Sequence, residues 1–181
     1  MKGPFIFKSE RLGFRNWMEA DIEKMIGINA DREVMKYFPV QPSKEQTIKF
    51  IERMQKQFTE KNYCYFAVDE LATRSFIGFI GLSDQTYESD FSPFTDIGWR
   101  LDRSCWSMGY ATEGAKACLA YADRHLDLPL IYAVSPGVNK NSIKVMEKIG
   151  MSFVKYFDHP LLRHNAHLER CVLYLHKKSY N

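Results

Sequence analysis

No run of 18 consecutive apolar residues occurs in this 181-residue chain, so no segment reads as a membrane-spanning helix. The opening MKGPFIFKSERL is interrupted by charge at once and lacks the apolar stretch of a signal peptide. A net charge of only +3 does not single out nucleic acid as a partner. The four cysteines, Cys64, Cys105, Cys118 and Cys171, lie far apart and form no CxxC. They read as reduced thiols, mostly core residues, in a cytoplasmic protein. Two nucleotide-binding loops are also missing. There is no GxxxxGK, and Gly78-x-x-Gly81 is not a GxGxxG that opens a helix. No repeat, low-complexity tract or Gly/Ser linker divides the sequence, so a single domain spanning 1–181 is expected, long enough to bury a core.

What is present is an ordered series of periodic segments. FIFKSERLGFR alternates and predicts a first strand. NWMEADIEKMIGIN predicts a helix, with Asn16 and Glu19 as a capping box and Ile22, Met25 and Ile26 on one face. PSKEQTIKFIERMQKQF predicts a second, capped by Ser43 with Gln46. YCYFAVDE and SFIGFIGLS read as strands about a turn near Leu71 to Arg74. In TDIGWRLD, Ile97, Trp99 and Leu101 share one face, and Asp96, Gly98 and Arg100 the other. A small-residue helix follows Gly109, with Ala111, Ala115, Cys118, Leu119, Ala122 and Leu126 on one side. LIYAV is a short strand. NKNSIKVMEKIG is a helix with Asn139 as N-cap and Gly150 just past its end. MSFVKYF and LERCVLYLHKK close the chain as strands, joined by DHPLLRHNAH. The order β-α-α-β-β-β-α-β-α-β-β implies an α+β fold, a mixed sheet covered by helices.

CWSMGYAT, between a strand and a helix, has two readings. Gly109 serves a tight turn before a packed helix, or it lets backbone amides at a helix N-terminus close on a phosphate. Spacing alone leaves both open.

The stretch IGWRLDRSCWSMGYATEGAKACLAYA resembles the acyl-CoA-binding motif of the GNAT N-acetyltransferases. It is most similar to the RimJ/RimL-like subfamily that acetylates ribosomal-protein N-termini, where IGYWL…WGKGYATEA is the usual wording. SERLGFRNWMEADIEKM, NADREVMKYFP, NKNSIKVMEKIGM and FDHPLL match further segments in the same order, so the resemblance covers nearly the whole chain. It implies the GNAT fold, a twisted, mostly antiparallel sheet of about six to seven strands flanked by about four helices. It also implies acetyl-CoA as co-substrate, direct transfer to a primary amine and no metal. A peptide N-terminal amine is the expected acceptor. A small amine (polyamine, antibiotic or peptide toxin) and a non-catalytic acyl-CoA-binding module are the alternatives. The protein is expected to act as a monomer or homodimer, without nucleic acid or membrane.

The resemblance also implies roles. The phosphate loop falls on Trp106, Ser107, Met108, Gly109, Tyr110 and Ala111, with amides from Met108 to Thr112 on the pyrophosphate. Backbone of Trp99, Arg100 and Leu101 pairs with the pantetheine, and Asn139 hydrogen-bonds it. Lys148 approaches the nucleotide end. Three positions depart from the family pattern. Ser107 replaces a glycine, which costs energy if the local φ is positive. Met108 replaces a common basic residue, and Met146 stands where many relatives have a tyrosine acid.

Amine acetylation needs a neutral nucleophile and a proton for the departing thiolate. An α-amine is roughly a tenth neutral at pH 7, whereas a lysine is neutral about 0.04% of the time. An α-amine therefore asks less of a base. Ser142, the serine of N-x-x-S, is the implied acid, with helix capping as its other reading. Base candidates are Asp96, at the start of the CoA-side strand, and Asp158 with His159 after the penultimate strand. Their other readings are a solvated strand edge and a turn. Glu113, in the first turn of the helix, reads as balancing the helix end or fixing the loop, with catalysis as its other reading. His159, His164 and His167 lack HExxH spacing, and Cys105 shows no His partner.

Overall fold

The computed structural model describes residues 4–178. Its eight-stranded sheet has the order β1-β2-β3-β4-β5-β6-β8-β7. The strands are β1 (Phe7–Lys8), β2 (Leu12–Arg15), β3 (Tyr65–Glu70), β4 (Ser75–Gln85), β5 (Phe94–Leu101), β6 (Leu130–Pro136), β7 (Ser152–Asp158) and β8 (Arg170–Lys177). Four helices accompany them: α1 (Ile22–Ala30), α2 (Lys44–Lys61), α3 (Tyr110–His125) and α4 (Lys140–Lys148). Every neighbouring pair is antiparallel except β5 with β6, which is parallel. This is the expected mixed sheet with four helices, one strand richer than six to seven. The extra strand comes from the opening segment. The chain turns at Ser9, whose N–H donates to the Leu12 carbonyl at 2.9 Å. Phe7 then pairs with Phe14, and their rings stack at 4.3 Å. A long alternating segment has become a hairpin because its two ends bury the same aromatic surface.

Helix capping follows the sequence at some ends and not at others. Ser43 and Gln46 form the expected reciprocal cap, with Ser43 N–H to Gln46 Oε1 at 2.8 Å and Gln46 N–H to Ser43 Oγ at 3.2 Å. Asn139 Oδ1 accepts from Ser142 N–H at 3.2 Å, and Gly150 has φ +83° just beyond α4. Asn16 and Glu19 do not cap α1. Asn16 Oδ1 takes the N–H of Trp17, and Asp21 takes that of Met18 at 2.9 Å, closing a 3₁₀ turn over Glu19–Asp21. The reason lies in Arg15. Its guanidinium is buried and forks between Asp21 and Asp69, with contacts of 2.7 to 3.0 Å. Asp21 is held by that pair, so the helix starts after it, at Ile22.

The two faces of the sheet are told apart by β5. Ile80 pairs with Trp99, and a Cβ on Gly114 of α3 would come within 2.3 Å of the Ile80 side chain. Thus α3 lies close against the Ile97, Trp99 and Leu101 face. On the other face Arg100 reaches Asn29 of α1, and Tyr65 stacks toward Phe50 of α2. The main core runs between these layers, from Leu12 and Phe14 through Phe66 and Ile80 to Ala115, Cys118 and Ile131. Cys64, Cys118 and Cys171 are buried free thiols, and Cys105 is half-buried. No helix among the described residues is long and apolar enough to cross a membrane.

Candidate active site

The parallel pair β5 and β6 is registered at Asp96 opposite Tyr132. Below that point, Phe91 and Phe94 pack on Tyr132, with ring centroids 5.7 and 5.6 Å away. Above it the strands part. Gly98 to Arg100 line one wall of a cleft, and Val134 to Pro136 with Asn139, Ser142 and Met146 line the other. The cleft has a volume of about 350 Å³ and is roofed by side chains of α1, α2 and the segment between them, Asn29, Tyr37, Phe38 and Phe50 among them. Backbone facing a parted sheet can bond an extended ligand as another strand would.

Asp96 sits at the foot of this cleft, half-buried. Its Oδ1 accepts from the Tyr65 hydroxyl at 2.5 Å and from Gln85 Nε2 at 3.2 Å. Gly98 leaves room for the Tyr65 ring, since a Cβ there would crowd it at 3.0 Å. Desolvation pushes the Asp96 carboxyl up to about 7, against the opposing pull of Tyr65, Gln85 and Arg53. Burial and the neighbouring Asp96 push the Tyr65 phenol well above its ordinary value. Asp96 is therefore split between its two protonation states near neutral pH. This is the property of a group that takes up and releases protons at working pH.

Ser142, in the first turn of α4, lines the opposite wall. Asn139 Nδ2 donates to its Oγ at 3.0 Å. With that oxygen accepting, the hydroxyl proton is available to another partner. Asn139 itself is engaged as the α4 cap through Oδ1 and Nδ2. Met146 is buried beside them.

At the top of β5 the chain passes through Trp106, Ser107 and Met108, all exposed, and enters α3 at Gly109. Ser107 has φ +62° and Gly109 φ +81°. The anticipated cost of serine in place of glycine is therefore real: Ser107 adopts the left-handed region. The Trp106 indole N–H donates to the Leu101 carbonyl at 3.0 Å, joining the loop to the strand. Glu113 braces it from below, accepting from Ser9 Oγ at 2.6 Å and from Arg11 N and Nε at 2.7 Å each. Arg11 also donates to the Met108 carbonyl at 3.0 Å. These contacts hold the Glu113 carboxyl below its ordinary value, with burial opposing them. Tyr110 is buried, its ring 4.5 Å from the Arg11 guanidinium and its hydroxyl bonded to Glu70. The N–H groups of Tyr110, Ala111 and Thr112 open α3 and have no carbonyl within the helix to bond, which suits an anion.

The remaining residues expected at the site lie elsewhere. Asp158 is exposed at the end of β7 and pairs with Arg170 at 3.1 Å. His159 caps the 3₁₀ turn Pro160–Leu162, with Nδ1 accepting from Leu161 N–H. Its ring lies 4.3 Å from Tyr87, and burial lowers its pKa. Lys148 is exposed on α4. None of the three lines the cleft. Conversely, Tyr65, Gln85, Asn29, Phe38 and Arg53 form the surroundings of Asp96 and Arg100 without having stood out in the sequence. They come from β3, β4, α1, the segment after it and α2, and only the fold brings them together.

A parted parallel pair, a half-ionised carboxyl at its fork and a braced, positive-φ loop at a helix N-terminus make up the candidate site, a shape that suits an extended, anionic ligand. The chain belongs to the GNAT acetyltransferases: the family model for the acetyltransferase (GNAT) domain matches residues 11–152. The Bacillus subtilis protein YkkB is 31% identical over 150 residues, covering 81% of this chain and 85% of YkkB. A crystal structure of a GNAT-family acetyltransferase from Bacillus anthracis superposes with a TM-score of 0.77 at 27% identity, covering 94% of this chain and 97% of that one. The RimL ribosomal L7/L12 alpha-N-protein acetyltransferase in complex with coenzyme A shares the fold, with a TM-score of 0.76 at 15% identity over 96% of this chain and 98% of that one. The protein is accordingly an acetyltransferase.

Proposed function

We propose that the protein is a cytoplasmic acetyl-CoA-dependent N-acetyltransferase that moves the acetyl group directly to a primary amine, namely the α-amine of a peptide. The cleft and the Gly109 loop fit the co-substrate. An open strand edge beside Trp99 and Arg100 suits the pantetheine, and the amides from Met108 to Thr112 suit the pyrophosphate. When bound, acetyl-CoA supplies the activated acyl group as a thioester. The chain's own residues do the rest. Asp96 accepts a proton from the acceptor's ammonium, directly or through one water, and so frees the neutral amine for attack, while Tyr65 and Gln85 fix its other oxygen. Ser142 Oγ–H donates toward the departing sulfur, its orientation set by Asn139. Overall the acyl C–S bond breaks and an amide C–N bond forms; of the two protons the ammonium loses, one leaves through Asp96 to solvent and the other ends on the sulfur of the released thiol.

The observation that carries this reading is Asp96, close to neutral pH in its titration and set at the fork of β5 and β6. The test is a thiol-release screen over N-terminal peptides, polyamines and aminoglycosides at several pH values. Saturable release with an α-amine supports the reading, and release with none of them refutes it. A sensor that only binds acyl-CoA would keep its affinity in Asp96→Ala and Ser142→Ala without any turnover to lose.

A further inference from the structure

Arg100, half-buried, stands out against the fully buried Arg15. Arg15 is compensated by two carboxylates at 2.7 and 2.8 Å. Arg100 points into the cleft from the same face of β5 as Asp96, and it has no ion pair among the described residues. Its Nη1 donates to the neutral Asn29 Oδ1 at 2.7 Å, and its Nε is buried with no hydrogen-bond partner. Phe38 and Phe79 flank the guanidinium, with ring centroids 4.2 and 5.4 Å from its carbon. Desolvation lowers its pKa to about 10, which still leaves it protonated at pH 7. The other cationic side chain of the cleft, Arg53, likewise has no ion pair among the described residues. Asp96 is the only acid among the lining residues, and it is near half-ionised at neutral pH. The cleft therefore carries a standing positive charge, with donors fixed between aromatic rings and unmatched by the protein. A half-buried guanidinium whose Nε is buried and unsatisfied is costly unless something else completes it.

We infer that the acceptor carries a carboxylate beside its reacting amine, and that the Arg100 guanidinium receives it. This rests on the reading of the cleft as an amine-acetylating site. The planar donor set of an arginine matches a carboxylate, and the flanking rings of Phe38 and Phe79 hold the guanidinium in place. A polyamine brings only positive charge to a cleft that already holds two guanidiniums, so it fits poorly. The carboxylate has two possible sources, the free α-carboxyl of an amino acid and an acidic side chain near a peptide N-terminus.

Matched acceptor pairs test this. One arm compares an α-amino acid with its α-amide. The other compares peptides with Glu or Gln as their second residue. A charge-assisted hydrogen bond predicts that kcat/KM favours the carboxylate by ~10- to 100-fold in one arm, which identifies the source. Arg100→Gln is expected to bring that ratio close to one, and Arg100→Lys to restore part of it. Thermal melting checks that the variants fold. Calorimetry with the acetylated carboxylate and carboxamide products reads the same discrimination without turnover. Equal kcat/KM within both pairs, or an Arg100→Gln variant that changes only the KM for acetyl-CoA, would overturn the inference. Turnover with no carboxylate preference would do so while leaving the acetyltransferase reading intact. Thiol release with no amine at all, together with no product discrimination in calorimetry, would remove both.

Discussion

Replacing Asp96 by Asn separates the energetic cost of the site from its benefit. The carboxyl rises from 3.8 in the unfolded chain to about 7 in the fold, because burial disfavours its charge. A raised carboxylate pKa means that the unfolded chain binds fewer protons than the native one between these values. Stability therefore falls with rising pH across that window. The penalty is absent below about pH 4 and complete above about pH 7, where it amounts to ~4 kcal/mol at most. Water reaching the open cleft reduces the expected figure to ~2–3 kcal/mol. Asn keeps a carbonyl for the Tyr65 hydroxyl and carries no charge. Asp96→Asn is thus expected to be more stable than the wild type at about pH 8, with the gain fading toward about pH 4. Denaturant unfolding across this range measures it. The same variant should lose ~100-fold or more in kcat/KM, together with the limb that rises through an apparent pKa near 7. A variant that keeps its rate and that limb, or whose stability difference does not vary with pH, would refute the assignment and the electrostatics behind it.

Three further outcomes follow from the geometry. Ser107→Gly releases a left-handed serine and should stabilise the fold by ~0.5–1 kcal/mol in thermal melts, with unchanged or tighter binding of acetyl-CoA in calorimetry. Ser142→Ala should lower kcat ~10-fold or more with little change in the KM for acetyl-CoA; a fall in melting temperature with kcat intact would leave Ser142 only its role beside the α4 cap. Arg15→Met removes the guanidinium that Asp21 and Asp69 share in the core and should cost ~3–5 kcal/mol in denaturant unfolding, with loss of the 3₁₀ turn before α1.

The sequence made most of the fold legible because its periodic segments are long and locally capped. Ser43 with Gln46, Asn139 before α4 and Gly150 after it mark helix ends through contacts only a few residues apart. The opening hairpin and the start of α1 were not legible. Both depend on distant partners: the Phe7 and Phe14 rings meet across a turn, and Asp21 is claimed by Arg15, which also binds Asp69. The same division holds at the site. Gly109, Ser107 and the N-x-x-S serine are carried by contiguous motifs. The state of Asp96 is not, since it depends on Tyr65, Gln85 and burial between layers. Arg100 was expected to contribute backbone. Its unpaired side chain appears only once Asn29 and Phe38 are seen around it.

The central claim is tested most directly by incubating the wild-type protein with acetyl-CoA and a peptide bearing one free α-amine, then measuring released thiol and peptide mass together. One thiol per acetylated α-amine, saturating in both substrates, is the predicted result. Thiol release without acetylated peptide, or neither signal across the acceptor panel, would contradict it.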